Sequence, residues 1–274
     1  MNLIVVTVVK DDLLGLIKTE NSIDSQDKSV SWIVVTPFDD SDTHKHCQNL
    51  LMSGKVFKLL QDQGDGVYSA MNQAIFDSSE KDWLWFLNAG DEFIHSNSYS
   101  RVIEEIQKVN SRWIFGGHRL SSESSKTLGD FKSPNKFKIS NQLFAKRYIS
   151  HQATVFQVGF LHLLNGFNTT FRVAADWDLM ARASLIEPPA RLDFLLCNFY
   201  MGGLSTKARQ LSNLELLKIR SKYLPFWYIP KSYWWFFYRI FRNKLVQTLE
   251  GKFPEFTNSM RTIRIRIKNT KYFS

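Results

Sequence analysis

Three short apolar runs decide most of what this chain can fold into. Leu3-Ile-Val-Val-Thr-Val-Val9, Trp32-Ile-Val-Val-Thr36 and Trp83-Leu-Trp-Phe-Leu87 are nearly continuous in β-branched, aromatic and leucine side chains. A strand with one wet face alternates in polarity, whereas a continuous run of this length suits a strand covered on both faces. Helical patterns lie between and beyond them: one from about Asp12, with Leu13, Leu16 and Ile17 on one face, and one containing residues 72–76. A helix over residues 98–109 and a strand at 113–115 continue the rhythm. Such alternation predicts an α/β fold, a Rossmann-like, mostly parallel sheet with helices on both faces. Residues 121–142 read as a loop or lid, because Ser121-Ser-Glu-Ser-Ser-Lys126 is polar and Pro134 interrupts the rest of the segment. A further helix is expected over residues 215–222.

In an open parallel sheet, ligands bind beyond the carboxyl ends of the strands, so carboxylates there carry more information than carboxylates elsewhere. Asp39, Asp40 and Asp42 follow the second run, Asp65 opens Asp65-Gly-Val-Tyr-Ser-Ala-Met-Asn72, and Asp91 and Glu92 follow the third. Asp176 and Asp178 sit in Arg172-Val-Ala-Ala-Asp-Trp-Asp-Leu179. Neither the Gly-x-Gly-x-x-Gly pattern nor the P-loop occurs. A nucleotide bound here needs its diphosphate neutralised by other means, and a divalent cation on hard carboxylate oxygen supplies them. Each feature also has a plainer reading. Residues 39–42 suit a solvated turn, Asp91 a helix N-cap, and Asp176 and Asp178 the acidic first turn of a helix. Tyr68, Met71 and Asn72 suit packing and turn geometry, His151 a satisfied structural histidine.

Taken in order, these signals resemble the family-2 glycosyltransferases of GT-A fold, the bacterial polysaccharide-assembly kind. The resemblance rests on Thr7-Val8-Val9, the 39–42 turn, Gly66-Val-Tyr-Ser-Ala-Met-Asn72, Phe86-Leu-Asn-Ala-Gly-Asp91, His151-Gln152, residues 172–178 and Gly202-Gly203-Leu-Ser205. It covers roughly residues 1–220. It implies that Thr7, Asp39, Asp40, Asp65, Tyr68, Asn72 and Asn88 serve the nucleotide-sugar donor, and that Asp91 holds Mg²⁺ or Mn²⁺ against the diphosphate. Asp176 falls on the catalytic base of an inverting transfer, and His151, Gln152 and Asp178 on contacts to acceptor or phosphate. Asn88 and Gly90 stand where the family carries carboxylates, leaving Asp91 as the sole motif ligand with Glu92 beside it. That departure keeps open a different reading, a non-catalytic module that binds a nucleotide sugar or a membrane.

The formal charge of +9 is not spread along the chain. Residues 207–274 hold 15 basic and three acidic side chains, a net +12, so residues 1–206 are at −3. Eleven of the 19 residues from 223 to 241 are aromatic. Aromatic side chains beside Lys231, Arg239, Arg242 and Lys244 suit a helix lying in an anionic membrane interface, or a helix pair packed back on the catalytic domain. The same interleaving suits single-stranded nucleic acid, but no RNA-binding motif accompanies it, and no nucleic-acid partner is expected. The domains expected are therefore a catalytic 1–215 and a C-terminal helical extension, 216–274. A lipid-linked saccharide is the expected acceptor, at the cytoplasmic face of the membrane. No run of about 18 uncharged apolar residues is present to span a bilayer, and no secretory leader is evident. With only Cys47 and Cys197, a disulfide framework is not expected. Cys197 reads as core, and His44, His46 and Cys47 as parts of a surface helix.

Overall fold

In the computed structural model of the chain, residues 1–39, 41–122, 125–144, 149–200 and 208–252 are described. Asp40, the stretch Gly202-Gly203-Leu-Ser205 and residues 253–274 lie outside the described residues.

The three apolar runs form strands β1 (Leu3–Val8), β2 (Ser31–Thr36) and β4 (Trp83–Phe86), and β3 (Lys58–Gln61) joins them. These four pair in parallel in the order β3-β2-β1-β4. Helices α1 (Leu13–Asp24), α2 (Asp42–Met52) and α3 (Val67–Phe76) make the crossovers between them. Beyond β4 the sheet continues through β8 (Thr154–Gln157), β6 (Trp113–Ser121), β9 (Ala190–Tyr200) and the short β5 (Glu92–Phe93). Strand β8 lies antiparallel to both β4 and β6, and β9 parallel to β6.

Successive side chains of a strand point to opposite faces, and here each face has its own core. Val5, Trp32, Val34 and Trp85 pack with Leu16, Cys47 and Val102, the last from α4 (Ser98–Lys108). Ile4, Val6, Ile33, Leu84 and Phe86 pack with Met71 and Ile75 of α3, Phe160 of α6 (Val158–Leu163) and Leu179 of α7 (Ala175–Ile186). Two-sided burial is why the runs are continuous rather than alternating. At about 1.5–3 kcal/mol for each large apolar side chain taken from water, it also explains why these strands anchor the fold.

One sequence expectation changes. The 121–142 segment contains β7 (Thr127–Phe131), which pairs antiparallel with β6, and α5 (Ile139–Leu143). Strand β7 is an edge strand, and only Phe131 of its five residues is buried. Its polarity therefore looks like a loop, while the Arg119–Asp130 pair (2.7 Å) ties it across to β6. Residues 215 and 216 lie in α8 (Arg209–Tyr223). Leu216, Ile219 and Leu224 are buried against Leu143, Phe144 and Ala174, so this helix packs on the catalytic core. A long helix comes next, α9 (Ile229–Lys252).

Candidate active site

Several of the candidate residues gather where β4 ends. The turn after β4 is fixed by α1: the Thr19 hydroxyl donates to the Asp91 carbonyl (2.8 Å), and the Gly90 amide reaches both Thr19 Oγ1 (3.0 Å) and the Gly15 carbonyl (2.9 Å). Gly90 takes φ +90°, a conformation that side chains with a Cβ rarely adopt. The backbone turns left-handed at Gly90 and presents its amide to α1.

That turn delivers Asp91 into a buried position. Its Oδ2 accepts from Gln152 Nε2 (3.0 Å) and its Oδ1 from the Tyr200 amide (3.2 Å). Burial pushes the Asp91 carboxyl up to about 7, although the Tyr200 amide, His151, Gln152 and Lys18 oppose the rise. A folded value above the ordinary 3.8 means that this group's contribution to stability is full below about pH 4 and is lost as pH rises through about 7. Ligand-free protein is therefore expected to melt at progressively lower temperature across that window, and Asp91→Asn to flatten the profile. Parallel profiles for the two proteins would remove burial of Asp91 as the cause.

Next to Gln152 in a single 3-10 turn, His151–Ala153, His151 faces the other way. Its Nε2 lies 3.3 Å from Asn88 Nδ2, and its Nδ1 lies 3.4 Å from Asp176 Oδ2. Asp176 is the second residue of α7 and is 5% exposed. Its Oδ1 lies 3.1 Å from the Tyr68 hydroxyl. Consecutive residues thus connect two carboxylates: Gln152 to Asp91 and His151 to Asp176.

The structure brings together Tyr68, Asn88, Asp91, His151, Gln152 and Asp176. Asp39 and Asp65 are exposed in turns ahead of α2 and α3. Asp39 lines an open cleft of about 400 Å³ with Phe38, His44, Lys45 and Gln48. The Ser41 hydroxyl and amide, hydrogen-bonding the Asp39 carboxyl, hold it below the usual range. The other candidates use their polar groups inside the fold. Thr7 is fully buried; its hydroxyl donates to the Leu87 carbonyl (2.8 Å) and accepts from Trp32 Nε1 (2.9 Å), so it ties strand ends together. Asn72 closes both its amide groups on the Phe167 backbone, at 2.8 and 2.7 Å. Asp178 accepts from Arg182 Nε (2.7 Å) and the Tyr223 hydroxyl (2.7 Å), joining α7 to α8. The Asn72 clamp closes against Gly166, whose φ is +61° and where a Cβ would lie 2.4 Å from Asn72 Oδ1. Gly166→Ala is expected to cost about 1–3 kcal/mol, read as a lower denaturant midpoint; an unchanged midpoint would contradict the clamp.

Several partners carry no signal in the sequence. Glu92 accepts from the Tyr200 hydroxyl and lies 3.7 Å from Lys18, whose ammonium sits 2.9 Å from the centre of the Tyr200 ring. These contacts join residues far apart in the chain and obey no short motif.

The donor set can be tested for a divalent cation. Among the described residues no group of three or more His, Cys, Asp and Glu could hold a metal. Asn88 Oδ1 and Gln152 Oε1 are, however, buried oxygens without a hydrogen-bond partner beside Asp91 and His151. One carboxylate and two neutral oxygens fit a hard cation that brings phosphate and water as its other ligands, as Mg²⁺ does. They do not fit an all-protein cage.

No protein-family model matches the chain. In sequence it is 28% identical over 208 residues to an uncharacterised glycosyltransferase of Mycobacterium tuberculosis, covering 74% of this chain and 76% of that protein. It is 32% identical over 123 residues to a PGL/p-HBAD biosynthesis glycosyltransferase of Mycobacterium bovis, covering 44% and 45%. In fold it is similar to S. aureus TarS 1-349 in complex with UDP-GlcNAc, with a TM-score of 0.63 at 12% identity over 80% of this chain. The chain spans 64% of that TarS fragment. It is also similar to the mannosyltransferase PcManGT from Pyrobaculum calidifontis in complex with GDP-Man and Mn²⁺, with a TM-score of 0.60 at 12% identity over 99% and 86% of the two chains. At such identity the structural likeness speaks for the fold alone. The sequence relatives are glycosyltransferases by name, the fold neighbours share the fold, and the chain is similar to glycosyltransferases of GT-A-like fold.

Proposed function

We propose that the protein is an inverting glycosyltransferase that moves a sugar from a nucleotide diphosphate to an acceptor hydroxyl. The observation that carries this reading is the pairing of two buried carboxylates through His151 and Gln152 at the carboxyl edge of the sheet. Transfer needs a base for the acceptor proton and a means of stabilising the departing diphosphate. Asp176 is the base. The acceptor oxygen forms a bond to the anomeric carbon while the bond to the diphosphate breaks, the proton passes to Asp176, and attack opposite the leaving group inverts the centre. Tyr68 and His151 each hold one oxygen of Asp176, which fixes its direction toward the acceptor. Asp91, with the Asn88 and Gln152 amide oxygens, would hold a divalent cation, which when bound would supply positive charge to the diphosphate. Asp39, with Asp40 and Asp65, serves the nucleoside end of the donor, a UDP-sugar in preference.

Release of nucleotide from UDP-GlcNAc and from GDP-mannose, without acceptor and with Mn²⁺ or EDTA, tests the reading. Slow release that the chelator suppresses is expected for one donor. Donor binding with no release under any condition would instead make the chain a binding module, the reading that Asn88 and Gly90 keep open.

The acceptor is a lipid-linked saccharide, for cell-surface polysaccharide assembly, and the enzyme works on the cytoplasmic face of an anionic membrane. Helix α9 supports this. Trp234, Phe237 and Phe241 fall on one stripe and are 62, 63 and 69% exposed, beside the exposed Lys244. Amphipathic helices bind interfaces through such apolar stripes aided by cations. Among the described residues no helix is long and apolar enough to cross a membrane. Serine at positions 234, 237 and 241 together is expected to cut flotation with phosphatidylglycerol vesicles by about tenfold or more; equal flotation of variant and parent would refute the membrane partner.

A further inference from the structure

The backbone immediately before Asp176 is held by a residue from another helix. The amides of Arg172, Val173 and Ala174 all donate to the Glu215 carboxylate: Arg172 to Oε1 at 2.8 Å, Val173 and Ala174 to Oε2 at 2.9 Å each. Glu215 is 5% exposed and comes from α8. Among the described residues no cation lies within ion-pairing distance of it. A buried carboxylate is costly to leave unsatisfied, and three charge-assisted backbone bonds are what keep this one in place. The same peptide is gripped from its other side, where the Tyr68 hydroxyl lies 3.0 Å from the Val173 carbonyl and 3.1 Å from Asp176 Oδ1. Ala174, the N-cap of α7, offers no side-chain cap of its own. The first turn of the helix that carries Asp176 therefore takes its register from α8. Two residues further along α7, the Tyr223 hydroxyl of α8 bonds Asp178.

We infer that Glu215 is a positioning residue for the base: through the 172–174 peptide it sets where the Asp176 carboxylate points, and so makes turnover depend on the seating of the C-terminal helices. The inference rests on the reading of Asp176 as the base. A plain helix cap would need only to keep α7 folded. A positioning residue acts through Asp176 and through nothing else in the reaction. Misplacing a reacting group by about 1 Å can cost about a hundredfold in rate, so a loosened peptide lowers turnover while donor binding survives.

The test uses the full chain and three variants, Glu215→Gln, Asp176→Asn and the double variant, with nucleotide release from UDP-GlcNAc or GDP-mannose as the assay. Glutamine keeps the shape but turns an NH₂ toward amides that need an acceptor. Glu215→Gln is expected to lower kcat about ten- to a hundredfold, with the donor KM within about twofold. The double variant is expected to be no slower than Asp176→Asn alone, because residues that act as a unit are non-additive. Glu215→Asp, which keeps the anion and should fold where the amide variant does not, is expected to lie between wild type and Glu215→Gln. Wild-type kcat in Glu215→Gln or Glu215→Asp beside an inactive Asp176→Asn would overturn the positioning role alone, as would losses that multiply. An active Asp176→Asn would sink the base assignment itself.

Discussion

Asp176→Asn is expected to lower transfer by about two to four orders of magnitude, the usual worth of a well-placed general base. Nucleotide-diphosphate affinity should stay within about twofold. The substitution keeps the volume of the side chain and leaves an oxygen for the Tyr68 hydroxyl, so folding should survive. What is lost is the capacity to take a proton. Steady-state turnover together with calorimetric titration of UDP and GDP separates the two quantities. A fully active variant would remove Asp176 from the chemistry, and a variant that also failed to bind nucleotide would show that the 172–178 segment shapes the donor pocket instead.

Asp91→Asn should give the opposite signature. Donor binding is expected to lose its dependence on Mn²⁺, and kcat/KM to fall by about a hundred- to a thousandfold, the scale set by removing one charge-stabilising contact to a leaving group. The asparagine still accepts from the Tyr200 amide, so the turn after β4 should persist. Titrating Mn²⁺ into each protein in the presence of UDP checks this directly. Cation-dependent affinity that survived in Asp91→Asn would relocate the cation. Because burial pushes the Asp91 carboxyl up to about 7, cation binding in the wild type is also expected to strengthen as pH rises from 6 to 8, releasing a proton as it does so.

The strands at β1, β2 and β4 were readable from sequence because both their faces are covered, and two-sided burial leaves an unbroken apolar run. Strand β7 was not, because an edge strand with one buried residue in five has the composition of a loop. The candidate site divides in the same way. Asp91, Asp176 and the His151-Gln152 pair sit in short motifs at the ends of elements, and motifs of that kind survive in one dimension. Thr7, Asn72 and Asp178 occupy the same motifs, yet they spend their polar groups on the Leu87 carbonyl, the Phe167 backbone and Arg182. Sequence does not distinguish a polar side chain that faces a ligand from one that closes a buried joint. Thr19, Tyr200 and Glu215 carry no signal in the sequence for a third reason. Their partners lie 72, 109 and about 40 residues away, and such pairings exist only once the chain has folded.

Both cysteines are free and buried. Burial raises the Cys47 thiol to about 11 and holds the fully enclosed Cys197 well above the ordinary range. Thiolate is the reactive species, so the native protein should be nearly silent to maleimides and iodoacetamide at neutral pH. A single cysteine introduced at an exposed position such as Phe241 then becomes the one labelling handle in an otherwise wild-type background. A polarity-sensitive fluorophore or nitroxide attached there would report the surroundings of α9 directly, and the assembly could be followed on vesicles without first removing either native thiol.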